Sequence, residues 1–312
     1  MSTTRTTLSL CTLPLALALA LSACADDPAA IRSETASEAT ATRTSVETAT
    51  VAVRGTTLAI AARGSGRPLL LIHGGGEDAT MLAAQAASLA AAGFRVITYD
   101  RRGTGRSGRE DWPGDGAAQH ADDAAALIET LGLGPTTVVG VSSGGVIALA
   151  LAARHPDAVA RVVAWEPPAL GVRPGAAVAQ RALMTPARRH LKRHPGDFVG
   201  AQAILLRMIL GVPVSVDDPA FAATRANAEP MIRDEPAIPV FRFRRSDLSG
   251  RSVTVATGPA PFAPIRWAAT TLSRWSGHPV VHVDADHEVY LTQPEVLTRL
   301  VADTEPTSEA QP

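Results

Sequence analysis

The feature that most constrains this chain is a tight turn around Ser142, between a predicted strand and a predicted helix. Residues 136–141 form a short apolar run typical of a buried strand, and residues 143–154 are rich in Ala and Leu, which favours a helix. Gly140 and Gly144 stand two positions to either side of the serine, where a strand–turn–helix bend leaves almost no room for side chains. Such a bend exposes the serine hydroxyl at a helix start, where backbone amides favour negative charge. We therefore predict that Ser142 is a catalytic nucleophile; the alternative is a plain glycine-rich turn.

Short apolar runs alternate with helical stretches along most of the chain, which indicates an α/β fold with a mostly parallel, doubly wound sheet. The predicted strands are residues 51–61 (with a turn at 54–55), 68–72, 95–99, 136–141, 161–165, 253–257 and 279–283, and the predicted helices are 79–92, 117–131, 143–154, 265–275 and a last one from residue 294. Residues 167–248 interrupt this rhythm with many Pro and Arg residues and with helical patches at 176–191 and 198–209. We expect them to form a helical cap inserted over the sheet, within a domain of residues 51–302.

A second glycine-rich turn, His73-Gly-Gly-Gly76, follows the strand predicted at 68–72. Glycines after a buried strand allow the backbone to approach a ligand closely. At this place in the chain they would supply one amide of an oxyanion hole, with the Ser143 amide as the other, and each such donor contributes about 10²–10³ in rate. Gly75 is the first choice for that amide and Gly76 the second. We expect His73 to brace the loop rather than to react.

Four motifs come in an order and spacing that resemble the α/β-hydrolase superfamily, and in particular its esterase, lipase and haloperoxidase-like branch. They are His73-Gly-Gly-Gly76, Tyr99-Asp-Arg-Arg-Gly-Thr-Gly-Arg-Ser107, Gly140-Val-Ser-Ser-Gly144 and Asp286-His287. The resemblance covers about residues 51–302. It implies a doubly wound sheet with a cap, a serine nucleophile and a histidine base. It also implies that Asp100 is structural and ties the turn after its strand.

The histidine base must lie well downstream of the nucleophile, because the chain order in this superfamily is serine, acid, histidine. His287 fits that place, since it lies after the last predicted strand and before a helix that begins at Pro294. The other downstream histidines fit less well: those at 155, 190 and 194 fall at helix ends or in the cap, and those at 278 and 282 precede or lie within the last strand. We predict that His287 is the general base; the alternative is an exposed surface histidine.

The acid of the triad is where the chain departs from the resemblance. Relatives usually place Asp or Glu just after the strand predicted at 253–257, but here the sequence is Gly258-Pro-Ala-Pro261 and holds no carboxylate. Glu166 ends the strand next to the nucleophile and satisfies the chain order, and some family members, including certain haloalkane dehalogenases, carry the acid there. We predict that Glu166 orients His287; the alternative is that it only anchors the start of the cap. Weaker candidates are Asp286, Asp284 and Asp247.

The N-terminal residues predict export rather than a folded segment. Residues 8–21 form an apolar run shorter than the about 20 residues that a membrane span requires, and Leu21-Ser-Ala-Cys24 closes it. This ending resembles a bacterial lipobox, which implies a signal peptide at 1–23, lipidation of Cys24 and a cell-envelope lipoprotein held at a membrane by its acyl chains. An ordinary signal peptide is the alternative. Residues 24–50, rich in Ala, Thr, Ser and Glu, predict a flexible tether, and 303–312 predict a disordered tail.

The composition of the chain and the motifs that it lacks limit which ligands and partners we expect. The formal net charge is −1, so the chain offers no field that would attract nucleic acid. No metal-binding spacing such as His-Glu-x-x-His occurs, and Gly103-Thr-Gly105 lacks the third glycine of a dinucleotide motif, so we expect neither a metal nor a cofactor. We expect a serine hydrolase that acts on a small ester-like substrate. Two alternatives stay open: perhydrolysis or carbon–carbon bond hydrolysis at the same site, and a ligand-binding lipoprotein with an impaired site.

Overall fold

A computed structural model describes residues 45–210 and 224–304 of the chain. The strands are β1 (Val46–Val53), β2 (Thr56–Arg63), β3 (Arg67–Ile72), β4 (Phe94–Tyr99), β5 (Thr136–Val141), β6 (Val159–Trp165), β7 (Val253–Thr257) and β8 (Val281–His282). They form one sheet in the order β1-β2-β4-β3-β5-β6-β7-β8. The pairs β1–β2 and β2–β4 are antiparallel, and the other pairs are parallel. The predicted α/β fold with a mostly parallel sheet is confirmed.

Helices cover both faces of this sheet. Within the described residues they are α1 (Ala83–Ala91), α2 (Ala117–Thr130), α3 (Ser143–Arg154), α4 (Ala176–Arg193), α5 (Phe198–Leu210), α6 (Ala228–Arg233), α7 (Arg245–Leu248), α8 (Ala263–Ser276), α9 (Val289–Thr292) and α10 (Pro294–Asp303). In β3, Leu70 and Ile72 pack in the apolar layer that contains α2, α3 and α8, whereas Leu69 and Leu71 pack in the layer that contains α1, α9 and α10. A strand buried on both faces needs a continuous apolar run, which is the pattern seen here in the sequence.

The first strand corrects the predicted boundary of the tether. β1 begins at Val46, so the last residues of the segment predicted as a tether, 24–50, belong to the domain. Val46 pairs with Arg63 in the antiparallel hairpin of β1 and β2. Sequence analysis missed this stretch because residues 46–50 are exposed and therefore show no apolar pattern. At the other end, α10 includes Asp303, the first residue of the predicted tail.

The last strand is shorter than predicted. The sequence predicts a strand at 279–283, but β8 comprises only Val281–His282. It lies at the edge of the sheet and pairs with β7 through Ala256 and Thr257. Because β7 ends at Thr257, pairing ends after the 3.0 Å hydrogen bond from the amide of Val283 to the carbonyl oxygen of Thr257. The residues that follow β8 form the loop that carries His287.

The residues between β6 and β7 form the cap, which contains α4 to α7 within the described part of the chain. The cap has a small apolar cluster of its own: Met184, Ala187, Ala201, Leu205, Met231 and Ile232. Buried polar contacts tie it to the sheet domain. His120 Nε2 lies 2.6 Å from a carboxylate oxygen of Asp234, and Arg101 pairs with Glu235. These pairs tie the end of α6 to α2 and to the loop that follows β4.

Several predicted segments lie outside the described residues: the signal peptide at 1–23, Cys24, the tether up to residue 44 and the tail from residue 305. None of the helices in the described ranges is long and apolar enough to cross a membrane.

Candidate active site

Ser142 stands at the end of β5 in a strained backbone conformation. Its φ of 51° and ψ of −123° lie outside the regions that non-glycine residues favour. Its amide donates a 2.9 Å hydrogen bond to the carbonyl oxygen of Trp165 at the end of β6, so the sheet holds the turn in place. A Cβ atom at Gly140 would collide with the backbone of Gly144, and one at Gly144 would collide with the backbone at the end of β3. The predicted strand–turn–helix bend is present, and both glycines are required for it.

His287 lies in the loop between β8 and α9 and lines the same cavity as Ser142. Its Nδ1–H donates a 2.6 Å hydrogen bond to Oε2 of Glu166. A proton on Nδ1 leaves Nε2 as the nitrogen that can accept one. The carbonyl oxygen of His287 accepts a 3.0 Å hydrogen bond from the indole N–H of Trp165, which holds the loop against β6. The structure thus brings two of the predicted site residues, His287 and Glu166, into direct contact.

The pKa of His287 is raised above its usual value of 6.5. Burial of the imidazole acts in the opposite direction, because it disfavours the charged form. The hydrogen bond to Glu166 and the negative charges of Glu288 and Glu166 outweigh burial, and Glu77 adds to the rise when it is ionised. The imidazole is therefore a stronger base than an isolated histidine, which suits it to take a proton from a serine hydroxyl.

Glu166 directly follows β6 and has its backbone in the left-handed region, at a φ of 45°. Its amide donates a 2.9 Å hydrogen bond to the carbonyl oxygen of Ala256 in β7. Its buried carboxylate accepts the hydrogen bond from His287 at Oε2 and a 2.8 Å hydrogen bond from the amide of Gly258 at Oε1. Both carboxylate oxygens therefore face N–H donors, and the side chain has no freedom to rotate away from the histidine.

Gly258 occupies the position at which the resemblance implies the acid. A Cβ atom there would collide with the carbonyl oxygen of Ala285, so the site has no room for a side chain. The turn after β7 instead supplies the amide that binds Glu166. The weaker candidate acids lie elsewhere: Asp284 and Asp286 are exposed, and Asp247 accepts the amide hydrogen of Arg244 before α7.

The glycine loop (residues 73–76) follows β3 and contributes Gly75 to the wall of the cavity that Ser143 also lines. The amide of Gly74 donates a 2.8 Å hydrogen bond to Oε2 of Glu77, which holds the loop from one side. The loop therefore lies where an oxyanion amide is expected. The assignment of that role to Gly75 and Ser143 stays a prediction.

His73 braces the glycine loop from within the core. Its Nδ1–H donates a 2.9 Å hydrogen bond to the carbonyl oxygen of Gly74, and its Nε2 accepts a 3.1 Å hydrogen bond from the amide of Arg101. Burial and the neighbouring Arg101 hold the pKa of His73 well below 6.5, so the ring is neutral. Asp100 accepts hydrogen bonds of 2.9 Å from the amides of Ala79 and Arg106. These contacts agree with the structural roles predicted for His73 and Asp100.

A cavity of about 770 Å³ lies between the carboxyl ends of the strands and the cap. Its reactive end exposes Ser142 and His287, at the edge of the sheet where α/β proteins usually bind ligands. Most of the remaining wall is apolar and comes from the cap and from α8, with Leu183, Met184, Leu205, Leu206, Ile265 and Trp267 among its residues. Such a wall suits an apolar ligand that presents one polar group to the reactive end.

Several polar residues of the cavity wall were not predicted from the sequence, and four of them are Glu77, Glu235, Glu288 and Tyr290. Glu77 directly follows the glycine loop, and Glu288 and Tyr290 lie one and three residues after His287, so their position beside known motifs was the available signal. Glu235 has no such signal, because it comes from the cap. A Cβ atom built on Gly75 would lie 3.0 Å from its carboxylate.

Among the residues that the structure describes, no three His, Cys, Asp or Glu side chains are grouped as a metal site.

Comparisons with known proteins agree with this fold. A family model described as alpha/beta hydrolase fold matches residues 67–233. The uncharacterized hydrolase YraK of Bacillus subtilis is 40% identical over 123 residues, which is 39% of this chain and 45% of that protein. The chain thus matches less than half of the length of this curated relative.

Two solved structures are similar over most of the chain. An alpha/beta hydrolase from Sphaerobacter thermophilus is 26% identical, with 82% of this chain and 99% of that chain covered and a TM-score of 0.63. A thermophilic esterase from Thermogutta terrifontis is 26% identical, with 82% and 97% covered and a TM-score of 0.62. The chain belongs to the α/β-hydrolase fold family.

Proposed function

We propose that the chain is a serine ester hydrolase in which Ser142 is the nucleophile, His287 the general base and Glu166 the acid that orients the base. The observation that carries the proposal is the 2.6 Å hydrogen bond between Glu166 and His287, beside a cavity that also exposes the strained Ser142. A carboxylate on Nδ1 keeps the imidazole in the reactive tautomer and stabilises the positive charge that develops on it. The similarity to the Thermogutta terrifontis esterase supports this choice of reaction.

The reaction runs through an acyl-enzyme. Ser142 Oγ attacks the ester carbonyl carbon while its proton passes to Nε2 of His287, and the amides of Gly75 and Ser143 donate hydrogen bonds to the oxyanion. The carbon–oxygen bond to the alcohol then breaks, and the histidine returns the proton to the departing alcohol. Water attacks the acyl-enzyme in the second half, giving a proton to the same nitrogen. Release of the acid restores the serine hydroxyl.

The cavity wall supports an ester with a sizeable apolar acyl or alkyl part. Burial of apolar surface contributes about 25 cal/mol per Å². An acyl or alkyl group that fills the part of the cavity beneath the cap, which we call the arm, would therefore bind more tightly than a short one. Leu205 and Leu206 of α5 and Leu183 of α4 line this arm. We expect kcat/KM for p-nitrophenyl esters to rise with acyl length until the arm is full.

Labelling of the full chain with a fluorophosphonate probe tests the proposal, with Ser142→Ala as the control. We expect labelling of the wild type, no labelling of the variant and a loss of ester turnover of about 10⁴-fold or more. A wild-type chain that neither reacts with the probe nor hydrolyses esters would favour a ligand-binding protein. Formation of peracid at a higher rate than ester hydrolysis would favour perhydrolysis at the same site.

We also propose that the chain is exported and anchored to a membrane through lipid on Cys24. The proposal rests on the apolar run at residues 8–21 and the Leu-Ser-Ala-Cys sequence that follows it. Metabolic labelling with a fatty acid in a bacterial host tests it, and Cys24→Ser is the control. Incorporation of label that Cys24→Ser abolishes is the expected result; equal labelling of both forms, or of neither, would reject the anchor.

A further inference from the structure

Most side chains of the cavity wall take no part in the proposed reaction. Three of them contact one another and form what we call the Glu77 cluster: Glu77, Tyr290 and Glu288. The Tyr290 hydroxyl is hydrogen-bonded to Oε1 of Glu77 and lies 2.8 Å from Oε2 of Glu288. Glu77 and Tyr290 are buried, whereas Glu288 is half-buried. The cluster begins one residue after His287 in the sequence, so it adjoins the reactive end of the cavity.

A count of hydrogens requires one extra proton in the Glu77 cluster. The Tyr290 hydroxyl has a single hydrogen, which it can donate to one of the two carboxyl groups but not to both. With two ionised carboxylates, one of the close oxygen–oxygen contacts would have no hydrogen between its atoms. The extra proton belongs on Glu77, because Glu77 is the more buried carboxyl and burial disfavours a charge.

This arrangement satisfies the polar contacts of the cluster and joins two loops. Protonated Glu77 donates from Oε1 to the Tyr290 oxygen, and Tyr290 donates in turn to Glu288. The other oxygen of Glu77 accepts the 2.8 Å hydrogen bond from the amide of Gly74 in the glycine loop. Tyr290 belongs to α9, which directly follows the loop of His287. The cluster therefore connects the loop of the predicted oxyanion amide with the loop of the predicted base.

We propose that Glu77 is a positioning residue: it binds one proton together with Tyr290 and Glu288, and this shared proton holds the glycine loop in register with His287. The inference rests on the proposed function, because it assigns a purpose to the alignment of those two loops. Glu77 acts through the backbone and does not itself react with the substrate.

The charges around Glu77 predict when this proton is lost. The groups that face it are Tyr290, Glu288, Arg101 and His287, besides the amide of Gly74. Burial dominates and raises the pKa of Glu77 to about 7; Glu288 adds to this rise, while the hydrogen bonds from Tyr290 and Gly74 and the charge of Arg101 oppose it. Above that pH two carboxylates share one hydrogen, and their repulsion weakens the connection between the loops.

The pH dependence of kcat/KM for p-nitrophenyl butyrate, followed at the isosbestic wavelength of p-nitrophenol, tests the proposal in the full chain. We expect the wild-type value to fall about tenfold for each pH unit above about 7, because only the protonated cluster is competent. In Glu77→Gln the amide donates to Tyr290 at every pH, so this alkaline decline should disappear. In Glu288→Gln the decline should begin at lower pH, because a charge that raises the pKa of Glu77 is gone.

The matched control is Glu129→Gln, which makes the same change on the exposed face of α2 and should keep the wild-type profile. A second readout needs no turnover. Infrared difference spectra across about pH 7 should show the carbonyl band of a protonated carboxylic acid disappearing in the wild type and in Ser142→Ala, but not in Glu77→Gln.

These readouts separate failure of the inference from failure of the proposed function. Absence of ester turnover with the titrating band present would reject the esterase and keep the shared proton. An alkaline decline or a titrating band that persists in Glu77→Gln would overturn the inference. Should Glu77→Gln fail to fold, the Glu288→Gln profile decides, and a decline at the wild-type pH in that variant would overturn the inference as well.

Discussion

Two buried carboxyl groups flank the loop of His287, and they differ in the groups that they face. Glu166 faces N–H donors at both oxygens, from His287 and from the amide of Gly258. Glu77 faces an N–H donor at one oxygen and the Tyr290 hydroxyl at the other. Burial is similar for the two, with exposed fractions of 4% for Glu166 and 6% for Glu77. An N–H can only donate, whereas a hydroxyl can also accept, so the second site accommodates a proton that the first does not.

The role of a buried carboxyl group near an active site thus follows from its hydrogen-bond partners rather than from how deeply it is buried. The surroundings of Glu166 favour a negative charge beside an imidazole, whereas those of Glu77 favour a proton held between two loops.

Substitution of Glu166 should have the largest effect on turnover. Glu166→Gln replaces an acceptor on Nδ1 with a side chain that can donate, which disfavours the reactive tautomer of His287. We expect the kcat for p-nitrophenyl butyrate to fall by more than about 100-fold, with an unchanged circular dichroism spectrum. Glu129→Gln serves as the control for the loss of one charge. Near-normal turnover of Glu166→Gln would return the role to another carboxylate.

At Glu77 the same substitution should act on stability in a way that depends on pH. The pKa of Glu77 is about 7 in the folded chain and 4.5 in the unfolded reference, so folding takes up a proton between these values. The free energy of unfolding of the wild type therefore decreases as pH rises from about 4.5 to 7, by about 3 kcal/mol from this group. Glu77→Gln lacks this decrease. Urea unfolding of both proteins at several pH values measures the difference, and a difference that stays constant with pH would contradict the assignment.

The turn after β7 offers a further test of the difference between Glu166 and Glu77. It gives Glu166 a donor, the amide of Gly258, at the position where the resemblance implies an acid. Gly258→Asp would introduce a carboxylate, but its Cβ would collide with the carbonyl oxygen of Ala285. We expect a loss of about 1–3 kcal/mol in the free energy of unfolding and no recovery of turnover when the change is added to Glu166→Gln. Gly258→Ala is the steric control. Recovery of turnover in the double variant would show that the two turns are interchangeable.

The smallest expected effect concerns the acid limb of the pH–rate profile. His287 must be neutral to accept a proton, and its pKa is raised, so kcat/KM should rise with pH through a midpoint above 6.5. Glu288→Gln removes one of the charges that raise this pKa, so the midpoint should move to lower pH. A midpoint that lies below 6.5 in the wild type would contradict the electrostatic account of the site.

Local patterns were enough to predict most of the sheet and the turn at Ser142. Three neighbouring signals identify this turn: the apolar run of β5, the two glycines and the helix after them. Because they lie within a few residues of each other, the sequence alone predicts the strand–turn–helix bend. Glu166 was reachable because the order of the triad along the chain restricts the candidates. Its contact with the amide of Gly258 was not predictable, since that contact depends on how β6 and β7 pair.

Long-range contacts account for what the sequence did not reveal. Glu77 and Tyr290 meet although they are 213 residues apart, and no pattern at either position indicates the other. The first five residues of β1 carry no apolar signal, because a partner strand rather than burial makes them a strand. Glu235 reaches the cavity from the cap, where a Pro- and Arg-rich sequence gives no periodicity to interpret.

The hydrogen bonds that run from the amide of Ser142 to Trp165, and from the amide of Glu166 to Ala256, extend the sheet by one residue at each strand end. The separation between the backbones of Ser142 and Glu166 is thus set by the distance between neighbouring strands, about 4.8 Å. Mutations within 167–248 can reshape the space for the substrate without disturbing that separation. A chain built in this way can change what it accepts over evolutionary time while the chemistry stays the same.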